Sequence, residues 1–172
     1  MNCGVTSGQK HLQAMCVPPK KHYGILPGKR CVMSKQYLMK VYPAGSGREV
    51  YRNIEICGEE SLDRLCGIIL DAFDFTDEHL YEFCMDNRMY SKNAYQSDPE
   101  GEEPSTDITL DEIGLCKGQK FSLHYDFGDD WMFTITVSKI SETEERFEPR
   151  IVKAKGHIQQ YPDFDEEDWD DE

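Results

Sequence analysis

The sequence FSLHYDFGDDWMF, residues 121–133, decides the fold of this chain. Apolar and polar side chains alternate on both sides of a turn rich in Gly and Asp, which is typical of a β-hairpin. We predict strands at 120–127 and 131–140, joined by Gly128, Asp129 and Asp130. The apolar residues expected on the core face are Phe121, Leu123, Tyr125, Phe127, Trp131, Phe133, Ile135 and Val137, with Ser122, His124 and Asp126 on the opposite face.

The segments around this hairpin predict one α+β domain. Residues 37–42 and 48–57 read as a first pair of strands, and residues 80–85 as a third strand. Between them, Leu62, Leu65, Cys66, Ile69 and Phe73 recur at helical spacing, so we expect one main helix with Ser61 as its N-cap. A helical turn at 109–114 and a last strand at 147–154 complete the order β-β-α-β-(short helix)-β-β-β. The predicted fold is a mixed or antiparallel β-sheet covered by one main helix, with residues 91–107 as a polar connection whose middle is expected to be a mobile surface loop.

Charge is distributed unevenly along the chain. The net charge is −14, yet residues 1–32 hold five basic residues and no acidic ones. The last ten residues hold eight acids, interleaved with Phe164 and Trp169. Because nucleic-acid binding needs clustered Lys and Arg, we expect no direct binding of DNA or RNA by the main domain.

Composition divides the chain into three parts. Residues 1–34 are expected to be a basic, flexible leader, residues 35–156 the α+β domain, and residues 157–172 an acidic, solvated tail. Two alternatives stay open for the leader. Met33 is a candidate natural start, and the leader's Cys and His residues are candidate metal ligands, although their wide, irregular gaps disfavour a zinc site.

Seven cysteines and the absence of long apolar runs indicate a compartment. Their number is odd, and no pair has the C-x-x-C spacing of a metal site. Cys57, Cys66 and Cys84 fall in apolar periodic segments, where a free thiol behaves as a small hydrophobe. No stretch is apolar over the length that a signal peptide or a membrane span needs. We therefore expect a cytoplasmic protein with reduced thiols and no membrane association.

Carboxylates at the hairpin tip form the main candidate site. Asp126, Asp129, Asp130 and Trp131 are the predicted binding residues, and His79, Asp126 and Asp129 are the candidate catalytic residues. Their alternative role is structural, because Gly and Asp are favoured in tight turns and His79 could fix a loop. No metal site and no cofactor are predicted from this cluster.

Several phrases of the sequence resemble one known family. They are Val50-Tyr-Arg52, Ser61-Leu-x-x-Leu65, the segment from Phe73 to Phe83, Thr109-Leu110, and Tyr125-Asp-Phe-Gly-Asp-x-Trp131. In this order, they make residues 37–155 similar to the plasmid pRiA ORF-3-like domain, also described as an insertion-element passenger protein of TnpR type. The resemblance implies a compact α+β domain of bacterial, archaeal or mobile-element origin and little about activity. A Pro-Pro-Glu-Asp-Cys-Gly-Gly-like segment common in the family is replaced here by residues 154–162, and no serine-recombinase nucleophile context is present.

Three functions are compatible with these features. The leading hypothesis is a non-enzymatic accessory domain that binds a protein partner, since the chain is acidic and lacks a nucleophile context. The second is a small metal-dependent hydrolase with a His/Asp site, which requires His79, Asp126 and Asp129 to converge. The third is an acidic protein that mimics nucleic acid.

Overall fold

The structure is a computed structural model that describes residues 34–161. Seven strands form one antiparallel sheet, in the spatial order β4-β3-β5-β6-β1-β2-β7. The strands are β1 (Ser34–Pro43), β2 (Tyr51–Cys57), β3 (Tyr81–Cys84), β4 (Ala94–Gln96), β5 (Lys120–Tyr125), β6 (Trp131–Thr143) and β7 (Arg150–Lys155). The helices are α1 (Leu62–Phe73) and α2 (Leu110–Ile113). The α+β class is therefore confirmed, and every strand pair is antiparallel.

Helix α1 lies where its apolar stripe predicts it. The Ser61 side chain accepts a hydrogen bond from the Arg64 N–H at 3.1 Å, which confirms the predicted N-cap. The helix ends at Asp74, whose φ of 62° is left-handed. All five residues of the predicted stripe are buried in the core, together with the inward side chains of β1, β2, β5 and β6.

A buried arginine joins α1 to the edge of the sheet. Arg52 on β2 is only 7% exposed, and its guanidinium lies over the Phe73 ring at 4.6 Å. It donates to the backbone carbonyls of Ala72 at 2.7 Å, Lys155 at 2.9 Å and Gly156 at 3.0 Å. Burial lowers the pKa of Arg52 from its ordinary value. This one side chain therefore supplies hydrogen-bond donors to backbone carbonyl groups in the last turn of α1 and at the end of β7.

Two expectations from the sequence are wrong. Phe127 is not on the core face, because β5 ends at Tyr125 and Asp126 turns the chain with a φ of 59°. Phe127 is consequently 37% exposed. The predicted strand order is also incomplete, because β4 lies within the connection at 91–107 and pairs Tyr95 with Phe83.

Other boundaries differ by a few residues. The last strand is β7, which begins at Arg150 rather than at 147, and His79 lies before β3 rather than at its start. The helical turn at 109–114 is confirmed as α2, which ends at Gly114 with a φ of 71°.

The thiols and the two helices are the features of the described residues that bear on the compartment. Cys57, Cys66 and Cys84 are buried free thiols, as predicted. Within residues 34–161, neither helix has the length and apolar character needed to cross a membrane. The predicted leader, residues 1–34, lies outside the described residues except for Ser34, and so does the Met33 start. Of the predicted tail, residues 157–172, the part from residue 162 on lies outside them.

Candidate functional site

The tip of the β5–β6 hairpin is built by aspartates. The Asp126 carbonyl accepts the N–H groups of Asp129 at 3.2 Å and Asp130 at 2.7 Å. The Asp126 carboxylate also accepts the Gly128 N–H at 3.0 Å. Asp126 and Asp130 both have positive φ, which Asp tolerates better than most residues. Part of the predicted carboxylate cluster therefore shapes the turn.

A buried histidine lies beside this turn and connects two carboxylates. The His124 side chain is fully buried, and its Nδ1 lies 3.0 Å from Glu82 Oε1 on the neighbouring strand β3. Its Nε2 lies 2.8 Å from Asp130 Oδ1, which is half-exposed at the hairpin tip. Tyr90 completes the group, because its hydroxyl donates to the same Asp130 oxygen at 3.1 Å. We call these four residues the His124 cluster.

The His124 ring lies between two carboxylates, one at each of its nitrogen atoms. A neutral imidazole has one N–H donor and one acceptor nitrogen, so it cannot donate to two carboxylates. Which of the two ring nitrogens donates therefore depends on the tautomer of His124. The cluster is thus a buried, hydrogen-bonded ionic group that ends at a surface carboxylate.

Glu82 is the ionised end of this cluster. Burial of its carboxyl group acts to raise its pKa, but hydrogen bonds from His124, the Tyr90 N–H and Gln96 act against burial. The Tyr90 N–H donates at 2.7 Å and Gln96 Nε2 at 2.9 Å. Together these bonds place the pKa of Glu82 below its ordinary value. Glu82 is therefore a negatively charged partner that orients the His124 ring through its Nδ1 atom.

Two aromatic rings cover the exposed side of the cluster. Tyr90 meets the His124 ring edge-to-face with centroids 5.0 Å apart, and Phe127 lies 5.0 Å from the same ring. The Tyr90 and Phe127 rings contact each other at 5.8 Å. Tyr90 is nevertheless 64% exposed, so both rings are held in place and still accessible.

His79 and Asp126 are neighbours on the other side of the hairpin. His79 Nε2 lies 3.6 Å from Asp126 Oδ2 and 3.0 Å from the Tyr161 hydroxyl. Antiparallel pairing places them together, because the Asp126 N–H donates to the Leu80 carbonyl at 3.1 Å. Burial and the charges of Asp126 and Asp129 raise the pKa of Tyr161. Two of the three candidate catalytic residues are therefore adjacent, but no side-chain contact joins Asp129 to them among the described residues.

A shallow cavity of about 390 Å³ contains the remaining candidates. Asp129, Asp130 and Trp131 line it, facing Pro43 and Ser46 of the β1–β2 connection. The indole N–H of Trp131 is buried and has no acceptor within residues 34–161. Three of the four predicted binding residues thus share one concavity, and Asp126 lies outside its lining.

Sequence reasoning missed Glu82, Tyr90 and His124 as site residues. His124 and Glu82 face each other as a register pair between β5 and β3, 42 residues apart in sequence. The available signal was one polar residue between two apolar neighbours in each strand. Glu82 stands between Tyr81 and Phe83, and His124 stands between Leu123 and Tyr125. A metal centre is not formed here, because no three His, Cys, Asp or Glu side chains in the described range are grouped to hold an ion.

The fold and this site together define a structural class of protein. It is an α+β protein with a single antiparallel sheet, one long helix and a histidine–carboxylate cluster at a hairpin tip. The chain belongs to the family of plasmid pRiA4b ORF-3-like proteins, whose family model matches residues 35–162. The resemblance inferred from the sequence motifs is confirmed.

A solved structure has the same fold. It is a protein of unknown function from Methanosarcina mazei Go1, which matches with a TM-score of 0.59 and 24% identity over 74% of this chain and 73% of its own. At this identity the likeness concerns the fold alone. No curated protein matches the chain significantly.

Proposed function

We propose that this protein is a non-enzymatic accessory module that binds a protein partner through the hairpin tip. The observation that carries this proposal is the exposed ring pair of Tyr90 and Phe127, packed on the buried His124 beside Asp130. We call Tyr90, Phe127, Asp129 and Asp130 the tip surface.

The rigidity of the tip surface favours recognition. Exposed aromatic side chains are frequent binding hot spots, because they bury a large area with few rotatable bonds. Tyr90 is fixed at both ends, since its N–H donates to Glu82 and its hydroxyl donates to Asp130. Binding of a partner to these rings therefore costs less side-chain entropy than binding to mobile side chains.

The chemistry of the tip surface favours a basic partner. Asp129 and Asp130 bring two carboxylates to the cavity beside the rings. A guanidinium can pair with a carboxylate and lie on an aromatic face at the same time, which is why Arg suits such a place. We propose that the partner presents an Arg-containing segment.

Capture experiments with paired substitutions test this proposal. Tyr90→Ser and Phe127→Ser should each reduce the amount of a specific partner that co-purifies by about tenfold, the loss expected for one aromatic anchor. Val152→Ser is the control, because Val152 is a comparably exposed apolar residue on β7 (46%), away from the hairpin. Equal capture by the wild type and both tip variants would contradict the proposal.

The charge component has its own test. Asp130→Asn should weaken capture and make it less dependent on salt, because a carboxylate–guanidinium pair is lost. Glu148→Gln changes net charge equally at an exposed residue, which forms a surface ion pair with Arg64. If both variants weaken capture to the same extent, general charge rather than the tip surface attracts the partner.

A His/Asp hydrolase is the second candidate, and its supporting observation is the short His79–Asp126 distance. Its metal-dependent form has no three-ligand group in the described residues, and Asp126 is engaged with the turn. If it is an enzyme, His79→Gln should abolish hydrolysis of a generic ester or phosphodiester substrate that the wild type cleaves. If the wild type does not hydrolyse these substrates, the hydrolase hypothesis is contradicted and the partner-binding function is retained.

The compartment remains part of the proposal. Buried free thiols at Cys57, Cys66 and Cys84 are typical of proteins kept in a reducing environment, so we propose that the module acts in the cytoplasm.

A further inference from the structure

The face of the sheet opposite α1 concentrates positive charge. Strand register aligns one row of side chains across five strands, in the order Lys120, Thr136, Lys40, Asn53 and Lys153. Neighbouring strands lie about 4.8 Å apart, so successive lysines of this row are roughly 10 Å apart. An acidic chain with a net charge of −14 therefore carries a basic strip on this face.

One end of the strip opens into a cavity of about 820 Å³. Its cations come from three separate elements, with Lys40 on β1, Arg48 on the β1–β2 connection and Lys120 on β5. Ser46, Thr136 and Ser138 add hydroxyl groups to the same lining, and Glu49 is its single acidic residue. This volume lies in the range of small-molecule sites.

The cationic groups of the cavity are available to a ligand. In the part of the chain that the structure describes, the Arg48 guanidinium and the Lys120 amino group have no carboxylate partner. Lys40 donates one N–H to the Gly47 carbonyl at 2.7 Å and retains two. Its amino group also lies over the rings of Tyr42 at 5.3 Å and Tyr51 at 4.7 Å. Cations with so few internal partners are suited to an external anion.

The connection that carries Arg48 is held in one conformation. Gly47 packs directly on the Tyr42 ring, where an added Cβ would lie 2.7 Å from a ring carbon. The N–H groups of Glu49 and Val50 both donate to the Ser46 carbonyl at 2.9 Å. These contacts fix the backbone of Arg48 beside Lys40, so the two residues that carry these charges are held close together.

We propose that this cavity is a binding site for a small organic phosphate of about nucleotide size. Phosphate oxygens accept charge-assisted hydrogen bonds from Arg and Lys, and the hydroxyl groups supply further donors. The Tyr42 ring in the lining offers an apolar surface to the organic part. Ser46 lines both this cavity and the one beside Trp131, so the ligand would lie next to the tip surface. The proposal does not depend on the protein-binding function.

Calorimetric titration of the full chain tests the site with three probes: ADP, inorganic pyrophosphate and adenosine. ADP and pyrophosphate should bind, and adenosine should not. Arg48→Gln and Lys120→Gln should each weaken ADP binding by about tenfold, the effect of losing one charge-assisted hydrogen bond. Lys139→Gln is the control, because Lys139 is an exposed lysine of β6 outside the cavity lining, and it should bind ADP like the wild type.

Three results would overturn the proposal. The first is no binding of ADP or pyrophosphate by the wild type. The second is equal weakening by Lys139→Gln and Arg48→Gln, which would indicate general surface charge. The third is tight binding of single-stranded DNA that Arg48→Gln, Lys120→Gln and Lys139→Gln all weaken to the same extent, which would indicate a nucleic-acid surface. Thermal unfolding of each variant shows whether the fold is retained. Arg48 and Lys120 accept hydrogen bonds from Lys155 and Asn87 through their backbone carbonyls, which these substitutions leave in place.

Discussion

Glu82→Gln removes one charge from the centre of the His124 cluster and leaves its shape almost unchanged. The carboxylate is 1% exposed and accepts three hydrogen bonds, from His124, the Tyr90 N–H and Gln96. A glutamine can keep the two bonds that share Oε1, but its amide nitrogen then faces the amide nitrogen of Gln96. The substitution therefore loses one bond and weakens two others.

The expected cost follows from the hydrogen bonds. A bond to a charged acceptor contributes about 1 kcal/mol more than a neutral one, and breaking a buried ionic pair costs about 3–5 kcal/mol. Asp130 still pairs with His124, so part of the second penalty is avoided. We expect Glu82→Gln to lower the free energy of unfolding by about 3 kcal/mol at pH 7. For a domain of this size, the unfolding midpoint should fall by about 10 °C.

The cost should depend on pH with a definite sign. The pKa of Glu82 lies below the ordinary value of 4.5 in the folded protein. The ionised carboxylate therefore stabilises the fold fully above pH 4.5, and this contribution is lost as the pH falls through the folded pKa. The difference between wild type and Glu82→Gln should accordingly be constant near neutrality and shrink below pH 4.5.

Urea unfolding of both proteins at pH 7 and at pH 3.5 measures this difference. Glu148→Gln is the matched control, because Glu148 is 84% exposed and should show no measurable change. An equal stability of Glu82→Gln and wild type at pH 7 would refute the reasoning. So would a difference that is as large at pH 3.5 as at pH 7.

Substitutions at four positions test how the fold is held. Arg52→Met leaves four backbone carbonyls without their donor and should lower the free energy of unfolding by about 3 kcal/mol in urea, with Arg52→Lys restoring little of it. Gly156→Ala should cost about 3 kcal/mol by the same measurement, because its φ is +69° and an added Cβ would lie 2.3 Å from the Glu49 carbonyl oxygen. Gly101→Ala, at φ +66° with open space around it, should cost only about 1 kcal/mol. Ser61→Ala removes the N-cap bond of α1 and should cost about 1 kcal/mol in thermal unfolding, whereas an unchanged midpoint would show that the cap is dispensable.

Local patterns predict much of this fold because local physics determines it. The stripe of α1 and the cap at Ser61 are encoded in one continuous segment, residues 61–73, and both are observed. The inward residues Phe121, Leu123 and Tyr125 follow from strand alternation and are buried. The alternation fails at Phe127, because the left-handed Asp126 interrupts the strand one residue earlier.

The site depends on pairings that a single strand does not contain. Glu82 and His124 meet because β3 and β5 pair in one register, and a shift of one residue would move both to the core face. His79 and Asp126 meet through the same pairing. The sequence could indicate that the hairpin tip holds carboxylates, but it could not place a histidine from a strand and a tyrosine from a distant loop against them.

Photo-crosslinking from position 90 tests the central claim most directly. A photoreactive phenylalanine analogue replaces Tyr90 in one protein and Val152 in a second, and both are irradiated in the cells that express them. The ring at position 90 is exposed beside Asp130, so we expect one discrete crosslinked partner from this position, with Arg in the crosslinked peptide, and none from position 152. Crosslinking to the same proteins from both positions, or from position 152 alone, would contradict a partner-binding tip surface.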